Sequence, residues 1–274
     1  MIIVHLMDIN IIIEDKNSYF CHLIMRIFLN LQYDGTNYHG WQKQPNGITV
    51  QEVIEKALST LYRTQIETTG CGRTDTGVHS HDFYLHYDIE EDIIPADELL
   101  YRLNAILPED IKIIRKLRPV NDEVNARFDA VSRTYRYIIS TEKAPFLTKY
   151  SYQYHYSLDI DLMNQAAETL KEYTDFKCFS KTGTQVFTNN CKIYDAHWEK
   201  KDYLLYFYIT ADRFLRNMVR SIVGTLLMVG NGRITLQQFQ EIIESKDRRK
   251  AGESVPAQGL SLIHVEYGEK LSTV

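Results

Sequence analysis

The chain has 274 residues, 44% of them apolar and 24% charged. That balance excludes wholesale disorder and low complexity, and the length suffices to bury a core without disulfide staples. A net charge of −5, from 31 basic and 36 acidic side chains, excludes a pervasively basic nucleic-acid coat; a local basic groove stays open, because salt screens distant charges within roughly 10 Å.

Residues 1–24 begin with an apolar run broken by His5, Asp8 and Asn10. The run lacks a basic start and is too short to span a bilayer. It reads as an N-terminal extension outside the folded core, and it holds part of the chain's acidity (Asp8, Glu14 and Asp15 against Lys16). Met25 opens a strand pattern, RIFLNLQY over 26–33, that ends in the turn pair Asp34-Gly35. Thr49 and Glu52 form a capping-box signature before a helix whose apolar stripe is Val53, Ile54, Ala57, Leu58 and Leu61. Extended sequence follows from about Ile66 to Ile89, with turn residues at 70–77. Pro95 starts a second helix with Leu99, Leu100, Leu103 and Ile106 on its face, and 111–117 returns as a strand.

The same order then recurs. Thr134–Ile139 alternates as a strand; Leu162, Ala166, Leu170 and Tyr173 mark a helix; Ile193–Trp198 and Tyr203–Thr210 read as a hairpin. A long helix is expected over 213–229, stopped by Gly230. Thr235 and Gln238 form a second capping box, and Leu260–Tyr267 closes as a strand. Each half thus reads strand, helix, two strands, helix, strand, the split βαβ plan. The class is α+β, with two ferredoxin-like halves sharing one sheet and helices on one face. The division expected is 25–140 for the first half, 141–270 for the second, with the crossover in 140–157, and 271–274 as a tail. Cys21, Cys71, Cys178 and Cys191 form no C-x-x-C pair and no zinc spacing, so they are expected as buried free thiols in a reducing cytosol.

The chemistry concentrates in GCGRTDTGVHS, residues 70–80. Gly72 and Gly77 have P-loop spacing, but Val78 stands where the phosphate-gripping lysine belongs. Asp75-Thr76-Gly77 spells the aspartic protease loop. That dyad shares a proton, however, whereas Arg73 two positions upstream favours an ionised carboxylate. Tyr33-Asp34-Gly35-Thr36 resembles a phosphatase motif, but Gln32 replaces its nucleophile. His79 and His81 share a strand face with no third ligand, so no metal is assigned. What remains is an ionised Asp75 on a glycine-rich turn, with Arg73 either clamping it for chemistry or pinning the turn.

GRTDTGVHS resembles the signature of tRNA pseudouridine synthases of the TruA family. Four further blocks match in order: YDGTNYHGWQKQPNGITVQEV (33–53); Ala126-Arg127-Phe128-Asp129-Ala130 with SRTYRYII; FKCFSK (176–181); and ADRFLRNMVRSIVGTLLMVG (211–230) with PAQGL (256–260). The resemblance implies the pseudouridine synthase fold, a mostly antiparallel mixed sheet with flanking helices and a central active-site cleft. It implies isomerisation of uridine to pseudouridine at positions 38, 39 and 40 of the tRNA anticodon stem-loop, without cofactor or metal. It also implies a cytoplasmic homodimer with tRNA running across both subunits.

By the same resemblance Asp75 is the catalytic aspartate, attacking C1′ or removing the C2′ proton. Arg73 is a candidate to hold the flipped nucleotide, Tyr135 to stack on the uracil and move the C5 proton, and Leu260 to wall the base. Alternation alone puts Tyr135 and Tyr137 on one face, and Tyr137 reads as packing. Arg213, Arg216 and Arg220, spaced by three and four, would share one face of the expected helix, either solvated or facing phosphates. Arg127, Arg133 and Arg136 could extend that track, as could Arg248, Arg249 and Lys250. Two alternatives remain: an inactive RNA-binding relative, which intact Arg73, Asp75 and Tyr135 argue against, and a synthase acting on another RNA.

Overall fold

The computed structural model describes residues 24–183 and 187–273. The N-terminal extension expected over 1–24 lies, up to residue 23, outside the described residues, as does Cys21. In chain order the elements are β1 (Met25–Tyr33), α1 (Val50–Tyr62), β2 (Thr69–Gly70), β3 (His79–Ile89), α2 (Ala96–Ile106), β4 (Ile111–Pro119) and β5 (Ser132–Ser140). Then come β6 (Tyr152–Gln153), α3 (Ile160–Thr169), β7 (Ile193–Lys201), β8 (Leu204–Ala211), α4 (Met218–Gly230), α5 (Leu236–Ser245), β9 (Leu260–Glu266) and β10 (Leu271–Thr273).

Alternation builds the second half cleanly. In β8, Leu205, Phe207, Ile209 and Ala211 are buried, while Tyr206, Tyr208 and Thr210 between them are half-buried. A strand's side chains alternate faces, so one face of this part of the sheet meets the helices. β1 differs: Ile27, Phe28, Leu29, Asn30 and Leu31 are all buried. Phe28 sits edge-on to Tyr267 and tilted against His86, so this strand is covered on both faces.

The strands form one sheet in the order β10-β4-β1-β3-β9-β5-β8-β7, with β2 pairing β3 and β6 pairing β5. The first half runs β4-β1-β3-β2 and the second β9-β5-β8-β7, the same split βαβ order twice. Pairing is antiparallel except at β3–β9 and β5–β6. The halves meet where β3 pairs with β9, through His79 with Ser261 and Ser80 with Leu262 alone. Beyond that the two strands part. The Asp82 carboxylate fills the gap, accepting from the backbone N–H of Val265 at 2.9 Å and from Asn30 Nδ2 at 2.7 Å. The core forms two clusters, one per half, and the partly buried Tyr135 packs against both.

Several expectations change. Topologically β5 opens the second half, so the junction lies between Pro119 and Ser132, not in 140–157. Residues 271–273, expected as a tail, pair with β4. Thr49 caps α1 by accepting from the Glu52 N–H at 3.4 Å, without the reciprocal bond of a capping box; the box expected at Thr235 and Gln238 forms in full. Ile106, expected on the buried face of α2, is exposed. Gly230 is the last residue of α4 and has no left-handed φ; its role is contact, since a Cβ there would lie 2.3 Å from Met163 Sδ of α3. Most consequentially, α4 begins at Met218. Asn217, at φ 66°, interrupts the helix expected from 213, because a left-handed residue cannot continue an α-helix. Among the described residues no helix is long and apolar enough to cross a membrane.

Candidate active site

The loop between β2 and β3 carries Arg73 and Asp75, and the segment after β1 holds it from below. Trp41 N–H donates to Thr74 O at 3.2 Å, Gly77 N–H to Tyr38 O at 3.4 Å, and the Tyr33 hydroxyl bonds Thr74 Oγ1 at 2.9 Å. Gly40 is the contact that makes this possible. Its φ is +87°, and a Cβ would sit 2.4 Å from Thr74 O, so only glycine lets the two loops meet. The loop closes on itself through Val78 N–H to Asp75 O at 3.1 Å.

The Asp75 carboxylate is a quarter exposed and faces two arginines. Arg216 Nε lies 3.7 Å from Oδ1, and Arg220 Nη1 lies 3.5 Å from Oδ2. Arg220 is itself held by Nε donation to Val255 O at 2.7 Å. The clamp expected of Arg73 is therefore made by residues from the far end of the chain. Arg73 is exposed and lines the same cleft. Arg213 and Arg216 reach that cleft from an irregular loop, not from a helix face.

The cleft has a volume of ≈ 1350 Å³, and its walls bring together Arg73, Asp75, Arg127, Tyr135, Arg213, Arg216, Arg220 and Leu260. Nine lysines and arginines line it against two aspartates, Asp75 and Asp212. Burial, and then the charges of Arg73, Arg133 and Arg213, hold the Arg127 guanidinium below its ordinary pKa. Cations crowded so closely repel one another, and a multiply charged anion would relieve the repulsion.

Tyr135 and Leu260 come together because β5 pairs with β9. Tyr135 stands opposite Leu262 and Tyr137 opposite Leu260, with a register shift just before Tyr135. Tyr135 meets Phe214 edge-on, with centroids 5.1 Å apart at 89°. Burial foremost, then the nearby Cys71 and Asp75, raises its phenol pKa while Arg133 pulls it down. Tyr137 is fully buried and donates to Pro256 O at 2.7 Å. Its ring packs so tightly on Gly259 that a Cβ there would fall 2.7 Å from Cζ. Tyr137 thus holds in place the turn that delivers Leu260.

From the sequence, Arg133 is expected to extend the basic track that could face phosphates. The structure makes it a staple. Its guanidinium donates to four backbone carbonyls: Ala130 at 3.2 Å, Asp212 at 2.7 Å, Cys71 at 2.9 Å and Arg127 at 2.6 Å. These belong to three separate walls of the cleft. Arg248 is likewise spent locally, on Ala251 O, Gly252 O and Ser254 Oγ. Arg136 turns away, toward His81 Nε2. His79 is buried, with Nε2 near Lys149 O and Gln258 O and Nδ1 2.9 Å from Asp34 Oδ1, so its partners tie loops together. Among the described residues no three His, Cys, Asp or Glu side chains converge to hold a metal. Cys71, Cys178 and Cys191 are buried and unpaired, and burial pushes each thiol up to about 12.

A basic cleft around one clamped carboxylate, on a doubled split βαβ sheet, defines an enzyme that works on a polyanion. The family model described as tRNA pseudouridine synthase matches residues 31–129 and 166–268. The chain belongs to the tRNA pseudouridine synthase family, in its TruA branch. It is 49% identical over 249 residues to tRNA pseudouridine synthase A of Bacteroides fragilis, covering 90% of this chain and 98% of that one. The protein of the same name from Bacteroides thetaiotaomicron is 51% identical over 251 residues, 90% of this chain and 93% of its own. That of Clostridium acetobutylicum is 42% identical over 241 residues, 87% and 98% respectively. The matched segments contain Arg73, Asp75, Arg127, Arg213, Arg216, Arg220 and Leu260; Arg133 and Tyr135 fall between them.

Proposed function

We propose that the chain isomerises uridine to pseudouridine in tRNA, with Asp75 as the carboxylate that acts on the sugar of the target nucleotide. The observation that carries this reading is the Asp75 carboxylate, faced by Arg216 and Arg220 at 3.7 and 3.5 Å within a cleft walled mainly by cations. The two guanidinium groups hold the carboxylate by charge on one side, leaving it in the cleft for either attack at C1′ or removal of the C2′ proton. The N1–C1′ bond breaks, the uracil turns, C5 bonds to C1′, and the C5 proton is passed on. The N1–C1′ and C5–H bonds are lost and the C5–C1′ and N1–H bonds gained, a redox-neutral isomerisation, so the chemistry calls for no cofactor or metal.

The target base must leave its stack, at a cost of a few kcal/mol. Arg73, exposed beside Asp75, is suited to hold the displaced nucleotide, and Arg127 and Arg213 to bind phosphates by their bidentate forks. Tyr135 supplies a ring for the uracil and a hydroxyl for the C5 proton, and Leu260 the apolar wall. Positions 38, 39 and 40 of the anticodon stem-loop are the targets that the family resemblance favours. A cytoplasmic homodimer completes the reading: two clefts on adjoining subunits would join into one longer basic track.

The test is to incubate the purified chain with unmodified tRNA and map pseudouridine at each nucleotide. Wild type should modify positions 38–40, and Asp75→Asn should bind tRNA yet form no pseudouridine, since an amide is neither nucleophile nor base. Binding without modification by wild type would favour the inactive relative. Modification of other RNAs alone would redirect the substrate.

A further inference from the structure

We propose that Phe128, capped by Arg127, is a stacking platform for a second nucleobase of the RNA, separate from the uracil at Tyr135 and Leu260. The inference rests on the functional reading above. Phe128 is 78% exposed, although its neighbours Ala126 and Ala130 are buried at 0% and 9%. The ring is not loose at the end of a floppy loop. Asn125 Oδ1 accepts from the Arg127 and Phe128 N–H groups at 2.9 and 3.3 Å. The Asp129 carboxylate accepts from Asn125 N–H at 2.8 Å and pairs with Lys270 at 2.8 Å. A tightly bonded turn therefore holds a large apolar ring out into water, which is unfavourable unless something covers it.

Its surroundings identify the occupant. Phe128 lines the same cleft as Asp75, Arg73 and Arg213. The Arg127 guanidinium carbon lies 5.5 Å from the Phe128 ring centroid. An apolar protein segment would have to bury these crowded cations without compensation, which is costly. A nucleic acid satisfies both features at once, because its phosphates meet the arginines and any of its bases offers a π face to the ring. A stack at Phe128 would fix the register of the RNA and so help select which uridine reaches Asp75.

The experiment compares Phe128→Ala, Phe128→Leu and Phe128→Trp with wild type for binding of unmodified tRNA across a salt series. Stacking predicts about 5- to 150-fold weaker binding for Phe128→Ala, the range for loss of one base–aromatic contact. The salt slope should not change, because no charge is removed. Phe128→Trp should bind like wild type, and Phe128→Leu, apolar but not aromatic, should stay weak. Anticodon stem-loops with single abasic nucleotides add a coupled test: one abasic position should weaken wild type but not weaken Phe128→Ala further. Equal affinity of Phe128→Ala and wild type, full rescue by leucine, or identical abasic profiles would each overturn the stack. If wild type itself neither binds nor modifies tRNA, the functional reading fails and the platform falls with it.

Discussion

Tyr135 and Tyr137 lie two residues apart on one strand face, but their hydroxyls have different tasks. That of Tyr137 is committed to Pro256 O. Tyr135 reaches the cleft beside Asp75 and Phe214. Tyr135→Phe should therefore bind tRNA nearly as wild type while kcat falls about 10²–10⁴-fold, the usual contribution of a positioned proton-transfer group. Tyr137→Phe should leave kcat little changed but cost about 1 kcal/mol of stability by removing the hydrogen bond to the half-buried Pro256 carbonyl. Denaturant melts and single-turnover rates separate the two. Similar mild effects at both positions would remove Tyr135 from the chemistry. Asp75 stood out in the sequence because Gly, Arg and Asp cluster around it within a few residues. Its partners did not, because Arg216 and Arg220 arrive from more than 140 positions away. Local spacing therefore pointed to Arg73 as the clamp. Arg133 was equally hidden: nothing in an alternating strand pattern reveals that one guanidinium will meet four distant carbonyls.

At the scale of elements, period was a good guide and boundaries were not. The 3.6-residue stripes of α1 and α5 and the two-residue alternation of β8 all reappear in the fold. The start of α4 was misplaced because the arginine spacing suits a helix, whereas Asn217 turns left-handed where Lys181 N–H bonds Arg216 O at 3.1 Å. Tertiary contact there overrides propensity. β2, β6 and β10, of two or three residues each, are too short for any period to register. α4 also shows how packing reaches the site. A Cβ on Gly224 would lie 1.8 Å from Glu253 O, so the helix and the 252–255 loop touch backbone to backbone. Gly252 N–H donates to Thr225 Oγ1 at 2.9 Å across that contact, and three residues on, Val255 O holds Arg220. Gly224→Ala must push the loop away and should destabilise the protein by about 1–3 kcal/mol, the range for overpacking. It should also lower kcat, because Arg220 loses its anchor. Unchanged melting and turnover would mean that the loop yields freely.

At the scale of the molecule, charge is segregated. The chain carries a net −5, yet nine cations and two acids line the cleft. Binding of tRNA should therefore fall steeply with salt despite the overall acidity. Each phosphate contact adds about 0.7–0.9 to the slope of log K against log salt. Arg213→Ala and Arg216→Ala should each reduce the slope by about that amount. Filter binding between low and physiological salt provides the measurement, and a salt-insensitive constant would mean that these arginines meet no phosphate.

The seam between the halves bears on how the chain is made. β9 pairs with β3, and β10 with β4, so the first half receives strands that come after α5 in the chain. Domains fold from the N-terminus as they emerge from the ribosome. A nascent first half would thus display its Asp75 loop with the flank of β3 unpaired and without Arg216, Arg220 or Leu260. Until β9 has emerged and paired with β3, the Asp75 loop would stand without those partners, and an RNA nearby would meet only part of the cleft.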